Sequence, residues 1–442
     1  MNPLAPLYRL IEWMPVAVQD TIVLIVLLLP ALLLGGLVLI GYRPFSLVRA
    51  MLWRFRWTNV LFIALIAISV GIGVALTAQE RGLRQGTARA ADPFDLVISA
   101  PGSEITMLFA AVYLQPSDVP LLSGEIYNEI ASEEDVSLAA PIAFGDSYQS
   151  YPIVGTTGQF VTHMSQSLAE GAMFAGYGDA VIGARVELAL GDVFSPAHGV
   201  GDAAETDAHA NAEYTVVGRM EPTGSPWDRA ILVPVEAVWE IHGLANGHAP
   251  EHADQLGPPF DPDYFPGTPA VLVSAEQLYV NYALRAQFTT SETMAFFPGT
   301  VLANLHALMG DVRQVMTLMA IVTQILVAAG VLAGLVILTR LFSRRLALLR
   351  ALGAPARFVL AVVWSYAAAL IFMGSALGIA VGYGAAAVIS RIVTQQTDIL
   401  VNATLAWPEF HLVAAFVSLT VILALAPAFI AVSRPVVTDL RG

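Results

Sequence analysis

The chain has 442 residues, of which 56% are hydrophobic and only 13% are charged. Its mean hydropathy of +0.67 excludes an ordinary soluble enzyme and a disordered chain. The formal net charge is −14, and we expect no nucleic-acid partner. The sequence contains neither cysteine nor lysine. These absences exclude disulfides, thiolate metal sites and the lysine-bearing phosphate loop, so any ATP-driven work must come from a partner protein.

Five long apolar stretches carry no charged residue, and each can cross a bilayer core of roughly 30 Å as a helix. The stretches are Thr21–Ile40, Val60–Ala78, Val315–Thr339, Phe358–Ser390 and Leu412–Val432. We therefore predict an α-helical membrane protein with five transmembrane helices. The predicted segments are an N-terminal extra helix at 1–41, an interfacial helix at 42–57, the second span at 58–78, an inserted domain at 79–312 and a three-span region at 313–442.

Arginine-rich segments between these stretches indicate the orientation. Tyr42–Trp57 contains four arginines and Arg340–Arg357 contains five, and neither contains an acidic residue. Short cationic loops stay on the cytoplasmic side of a membrane. The amino terminus is therefore predicted outside and the carboxyl terminus inside, which places the inserted acidic domain and the loop Arg391–Phe410 outside.

The segment Tyr42–Trp57 also has a helical period. Its apolar residues share one face, with most arginines off it, and a helix along the inner membrane surface is predicted. A simple basic linker is the alternative. The residues of the apolar face are Phe45, Val48, Met51, Leu52 and Phe55.

The inserted domain mixes short strand-like runs with helical patterns, so it is predicted to be an α+β domain. Met107–Tyr113 is too short to span a membrane and is predicted to be core or a membrane-skimming loop. The predicted strands are Phe94–Ser99, Ser137–Pro141, Ala180–Ile182, Tyr214–Val217, Ala230–Val233 and Ala270–Val273. The predicted helices are Asp118–Ser132 and Glu236–His242.

Two loop-like stretches of this domain carry histidines. His248 and His252 have the four-residue offset that can grip a metal ion from one helical face, although nearby glycines and Pro250 disfavour a helix. Two solvated, insertion-tolerant loops are the favoured interpretation. The alternative is a site for a divalent metal such as zinc. Its candidate ligands are His198, His209, His242, His248 and His252.

The sequence SRRLALLRALGAPARF at Ser343–Phe358 predicts a short arginine-rich helix that ends at Gly353. Leu346, Leu348, Leu349 and Leu352 form an apolar stripe on it. A cytoplasmic partner or the lipid headgroup layer must cover this stripe. The stretch that follows carries Gly374, Gly378 and Gly382, which predict close helix packing.

An arginine-rich entry, then ALLRALGA, then a long Gly/Ala-rich helix resembles the FtsX-like permease family, the membrane subunits of MacB-type and lipoprotein-releasing ABC transporters. The family layout of one helix, an outer domain and three helices covers Val48–Gly442. The helix at Thr21–Ile40 is extra, and Arg345 stands where the family often has glutamate. Tyr214–Val235 resembles part of the family's periplasmic core domain, where Asp228 and Arg229 are predicted to pair locally.

The resemblance implies a homodimeric permease in a bacterial cytoplasmic membrane that is not itself an enzyme. It binds no cofactor directly, because ATP and Mg²⁺ bind a separate ABC ATPase that drives the outer domain, a process called mechanotransmission. A periplasmic binding or adaptor protein is a further implied partner. The implied ATPase-docking residues are Arg344, Arg345, Leu346, Leu348, Leu349, Arg350, Leu352, Gly353 and Arg357. The alternatives are a signalling scaffold that regulates a cell-wall hydrolase and a zinc-related transporter.

Overall fold

The chain folds as two compact units, a helical unit and an α+β unit. The structure, a computed structural model, describes residues 8, 10–115, 117–199, 212–308 and 310–433. The helical unit comprises Met1–Leu83, Asp311–Arg391 and Asn402–Gly442. The α+β unit comprises Arg84–Gly310 and Ile392–Val401. The segment 392–401, which lies between the last two predicted spans, therefore belongs to the α+β unit.

Helices α1, α3 and α10 to α13 carry the apolar stretches. The helices are α1 (Val16–Leu39), α2 (Phe45–Arg54), α3 (Arg56–Ala91), α4 (Glu104–Ala111), α5 (Gly124–Ala131), α6 (Gly158–Ser165), α7 (Val235–Ile241), α8 (Leu278–Gln287), α9 (Pro298–Leu308), α10 (Gly310–Ala351), α11 (Ala356–Thr397), α12 (Trp407–Leu423) and α13 (Leu425–Ser433).

Four of the five predicted spans lie in helices long and apolar enough to cross a membrane: α1, α3, α11 and the continuous pair α12–α13. The fifth predicted span, Val315–Thr339, lies inside the helix α10. Among the described residues, the apolar part of α10 is the shorter segment Ile321–Gly334. The fifth span and the orientation in the membrane stay predictions.

The helical unit has its own apolar core, to which α3, α10, α11 and α12 all contribute. Ile66, Val70 and Tyr366 are among its most buried side chains. The extra helix α1 packs on α12, where a ring nitrogen of His411 lies 2.9 Å from the carbonyl oxygen of Asp20. Half of the large apolar side chains of α1 are exposed, which suits a helix with lipid as its solvent.

The interfacial helix predicted at 42–57 is present as α2. Val48 and Met51 are buried, whereas Phe45 of the same predicted apolar face is 62% exposed. Phe45 is the first residue of α2, and Leu47 is packed against the core in its place. The location of α2 at a membrane surface stays a prediction.

The strands of the α+β unit form one mixed sheet in the order β11-β1-β10-β2-β3-β9-β5-β8-β4, with β6 on β8 and β7 on β2. They are β1 (Leu96–Ser99), β2 (Val136–Tyr148), β3 (Tyr151–Thr156), β4 (Leu168–Gly171), β5 (Asp179–Ile182), β6 (Val193–Phe194), β7 (Ala197–His198), β8 (Tyr214–Met220), β9 (Ile231–Pro234), β10 (Ala270–Ala275) and β11 (Met294–Phe296). Each of the six predicted strands corresponds to one of these.

Both faces of the sheet are buried, because successive residues of a strand point to opposite sides. Leu272 belongs to one apolar cluster, whereas its neighbours Val271 and Val273 belong to the other. The first cluster contains Trp227, whose indole N–H donates to the carbonyl oxygen of Val112 at 3.2 Å. Met107–Tyr113 is part of that cluster, so it is core.

Candidate functional site

The helix α10 ends at a left-handed glycine, as the sequence predicts. Gly353 has φ +98°. Its N–H donates to the carbonyl of Arg350 at 3.0 Å, and the N–H of Ala354 donates to the carbonyl of Leu349 at 2.9 Å. This pair of bonds is a Schellman motif, which only a residue that tolerates positive φ closes without strain. The motif reverses the chain from α10 into α11 and holds the adjacent side chains in place.

The predicted leucine stripe is divided between the core and the surface. Leu346 is buried in the helical unit, so its side chain is not on the surface that Leu348 and Leu352 share. Leu349 packs partly against the same core. Leu348 and Leu352 are 49% and 86% exposed. Arg344, Leu348 and Leu352 are spaced four residues apart and therefore share one helical face, which we call the Leu352 face.

The other predicted docking residues lie around this face. Arg345 and Arg357 are exposed, as is Gly353. The guanidinium of Arg345 lies 5.9 Å from the centroid of the Phe55 ring. Arg350 is half-buried and donates to the carbonyl of Val432 at 3.0 Å, so it holds the helices of this unit together.

A groove of about 300 Å³ separates α2 from the end of α10. Its walls are almost entirely apolar, with an arginine contributed by each helix. The residues lining it are Leu47, Ala50, Met51, Arg54, Phe55, Phe342, Arg345, Leu346 and Leu349. The groove and the Leu352 face lie at the same end of α10.

In the α+β unit, two predicted histidines converge on a buried carboxylate that the sequence did not single out. Asp146 lies at a bulge of β2, where the register with β3 shifts after Phe144. Its carboxylate is almost fully buried. β7 pairs with β2 so that His198 stands opposite Asp146, and His198 Nδ1 is 3.1 Å from Asp146 Oδ1.

His242 reaches the same carboxylate oxygen from the end of α7. Its Nε2 lies 3.6 Å from Asp146 Oδ1, while its Nδ1 lies 2.7 Å from the carbonyl oxygen of Val238. A carbonyl can only accept, so Nδ1–H is the donor and Nε2 faces the carboxylate. The nearby carboxylate of Asp146 raises the pKa of His242 above its usual value, against the effect of burial. One ligand atom from each of the three residues lies within 4.8 Å of the others.

The other predicted metal ligands lie elsewhere. His248 is buried beside Glu236, with 3.6 Å between His248 Nε2 and Glu236 Oε1, and His252 is exposed. The residues Pro250–His252 form a single 3-10 turn, so the helical stack of His248 and His252 is not formed. His209 lies outside the described residues. The structure thus brings His198 and His242 together and leaves His248 and His252 apart from them.

Glu236 is expected to make the α+β unit less stable as pH rises. Burial raises the pKa of its carboxyl to about 7, well above the unfolded value of about 4.3. The folded state therefore binds more protons between these values, and stability is lost as pH rises through that range. Between pH 5 and pH 8 the free energy of unfolding of the unmodified α+β unit is expected to fall by about 2 kcal/mol because of Glu236. In Glu236→Gln this part of the fall is expected to be absent.

The measurement is pulse proteolysis of the α+β unit in the full chain in detergent, with urea midpoints taken at several pH values. The matched control is Glu251→Gln, since Glu251 is an exposed glutamate of the same unit. Burial lowers the pKa of His248, which weakens the unit only toward acid pH. An unchanged pH profile in Glu236→Gln would refute the assignment.

Asp228 and Arg229 do not pair with each other, which corrects that prediction. Asp228 accepts hydrogen bonds from Thr223 and from the N–H of Gly224, which holds the turn after β8. Arg229 instead pairs with Asp398 at 3.2 Å, a contact across 169 residues. Asp398 directly follows α11, so this ion pair attaches the segment 392–401 to the sheet.

Comparison with known proteins identifies the inserted domain. Residues 60–276 match the family model of the MacB-like periplasmic core domain. A similar solved structure is the extracellular domain of the ABC-type transporter YknZ from Gram-positive bacteria. It has 11% identity and a TM-score of 0.28, with 46% of this chain and 98% of that chain covered. No curated protein matches the sequence.

Several helices long and apolar enough to cross a membrane, with an α+β domain inserted between them, are the features of a membrane protein that carries a large domain outside the bilayer. The match to the MacB-like periplasmic core domain supports a MacB/FtsX-type permease of an ABC transporter. The family is the membrane component of such transporters, and it implies an ATPase as partner.

Proposed function

We propose that the chain is a homodimeric permease that couples ATP hydrolysis by a separate ATPase to movement of the α+β unit. In this proposal ATP and Mg²⁺ bind to the ATPase, and the moving α+β units export or extract a substrate that does not cross the bilayer. A periplasmic binding or adaptor protein delivers or receives that substrate. The two copies pair through the second, third and fourth spans in the inner membrane.

The observation that carries the proposal is the Leu352 face. Leu352 is 86% exposed on a rigid helix end and is surrounded by exposed arginines. An exposed leucine costs roughly 2 kcal/mol relative to a buried one, so a partner that covers it gains binding energy. The arginines add selectivity for an acidic partner surface. Both features are those expected of a docking site for a cytoplasmic ATPase.

The helices α3 and α11 support the transmission of movement. Each is continuous and supplies residues to both units, α3 over Arg56–Ala91 and α11 over Ala356–Thr397. At 1.5 Å per residue they run about 54 Å and about 63 Å, well beyond the roughly 30 Å bilayer core. A continuous hydrogen-bonded helix carries a displacement along its axis, and a displacement at the Leu352 face enters α11 through a short turn.

Leu352→Glu is expected to weaken ATPase binding by about 10- to 100-fold, because it buries a charge where a leucine side chain was covered. The ATPase activity that co-purifies with each variant measures the loss of binding. In a separate protein, photocrosslinking from a photoreactive residue at position 352, analysed by mass spectrometry, identifies the partner. The control is Ala351→Glu, which adds the same charge at an exposed position about 100° around the helix.

The expected adduct is an ABC-type ATPase, and ATP hydrolysis by the purified chain alone would contradict the proposal. Recovery of a cell-wall hydrolase in place of any transported molecule would favour the signalling scaffold.

A further inference from the structure

We propose that Asp146, His198 and His242 form a binding site for a divalent transition-metal ion of the Zn²⁺ type in the α+β unit. The geometry is the first argument. Ligands around tetrahedral zinc lie about 2.0–2.2 Å from the ion and therefore about 3.3–3.6 Å from one another. The observed separations from Asp146 Oδ1 are 3.1 Å to His198 Nδ1 and 3.6 Å to His242 Nε2. Only small side-chain movements are needed to accept an ion.

The ligands are held by regular secondary structure. Asp146 and His198 face each other across paired strands, which fixes their spacing. A backbone bond from the N–H of Gly199 to the carbonyl of Gly145, 3.0 Å long, reinforces this pairing. A site built on paired strands keeps its geometry when empty, so an ion binds without ordering a loop.

His242 has the supporting contact typical of a metal ligand. Its Nδ1–H donates to the carbonyl of Val238, which orients the ring and directs the Nε2 lone pair toward Asp146. Metal-ligating histidines in proteins nearly always have such a contact on the second nitrogen. The helix end that carries His242 thus holds the correct tautomer in advance.

The donor set selects the class of ion. Two imidazoles and one carboxylate suit Zn²⁺ and its first-row neighbours, whereas Ca²⁺ and Mg²⁺ require oxygen ligands. The carboxylate of Asp146 is buried, and a divalent ion there compensates its charge. The side chain of His198 is 53% exposed, so ions can enter from solvent and leave again. The three ligands leave a coordination position for water or for another molecule.

The site differs from the pair suggested by sequence spacing. His248 and His252 lie four residues apart but do not come together, and His248 lies beside Glu236 instead. Among the described residues, His198 and His242 are the two histidines that meet at one carboxylate. His252 therefore serves as a matched control, because it is an exposed histidine of the same unit outside the cluster.

The test is a titration of the metal-depleted full chain in detergent with Zn²⁺. Binding is measured by calorimetry and, independently, by competition with a chromophoric chelator. We expect one site per chain, no response to Mg²⁺, and an affinity lowered at least about 10-fold in Asp146→Asn, His198→Ala and His242→Ala. His252→Ala is expected to bind as the unmodified chain does.

His242→Gln keeps the bulk and polarity of the side chain and serves where His242→Ala fails to fold, which circular dichroism detects. Absorption spectra of the Co²⁺-loaded chain provide a readout of ligand type, and the d–d bands are expected to change in each ligand variant. Lack of Zn²⁺ binding, or binding lost in His252→Ala but retained in His198→Ala and His242→Ala, would overturn the proposal.

Discussion

Replacing Arg81 with alanine is expected to lower the free energy of unfolding of the helical unit by about 3–5 kcal/mol. Arg81 lies on α3 just beyond the apolar stretch, and its guanidinium is 2.5 Å from Glu409 Oε1. Glu409 is 1% exposed in the first turn of α12. Arg81 also donates to the carbonyl of Thr404. The substitution leaves a buried carboxylate without its cation, which is the costly way to break an ion pair.

The second oxygen of Glu409 accepts a hydrogen bond from the N–H of Ala406 at 2.8 Å, so this side chain cannot turn away to solvent without losing a helix-end contact. Replacing both charges, as in Arg81→Met with Glu409→Gln, is expected to recover most of the loss because no charge then stays buried. The matched control is Arg84→Ala. Arg84 is exposed three residues further along α3, and its loss is expected to cost less than about 0.5 kcal/mol.

Tryptophan fluorescence measures the unfolding midpoint of the full chain in detergent. The four proteins compared are the unmodified chain, the two single variants and the double variant. Equal stability of Arg81→Ala and Arg84→Ala would show that the ion pair does not hold α3 to α12. A double variant as unstable as Arg81→Ala would point to lost packing of the arginine stem.

The apolar helices and the strands were predictable because each has a local period or a continuous apolar run. Which apolar residues of a helix face the core, and which face the surface, was not predictable. Leu346 and Leu352 belong to one sequence stripe, yet one is core and the other is surface, because the neighbouring helices that decide between them are distant in sequence.

The cluster of Asp146, His198 and His242 shows the same limit. Histidines in polar loops are visible in sequence, so His198 and His242 were singled out. Asp146 was not, because it stands inside an otherwise ordinary strand and meets His198 only through pairing across 52 residues. Arg229 likewise forms its ion pair with the distant Asp398 and not with its neighbour Asp228. The sequence shows which residue types are available, whereas the register of the paired strands decides which of them come into contact.

Gly378→Leu is expected to destabilise the helical unit by about 3 kcal/mol, because α3 and α11 are in backbone contact there. A Cβ at Gly378 would lie 2.7 Å from Val70 Cβ and 3.0 Å from the carbonyl oxygen of Ala67. Neither atom belongs to a rotatable side-chain end, so the helices must separate. Gly374 and Gly382 meet α3 in the same way, against Ile66 and Gly71. The glycines therefore join two helices of one chain.

The matched control is Gly384→Leu. Gly384 lies on the same helix α11, and a Cβ there meets nothing within 4 Å. Both variants add the same side chain to α11, so membrane insertion and helix propensity affect them equally. Unfolding midpoints in detergent are expected to fall for Gly378→Leu and to stay within about 0.5 kcal/mol of the unmodified chain for Gly384→Leu. If α3 and α11 move together as one transmitting element, Gly378→Leu also uncouples ATP hydrolysis from substrate movement while Gly384→Leu does not. A stable Gly378→Leu protein would show that the two helices separate easily, and a rigid α3–α11 pair would then be wrong.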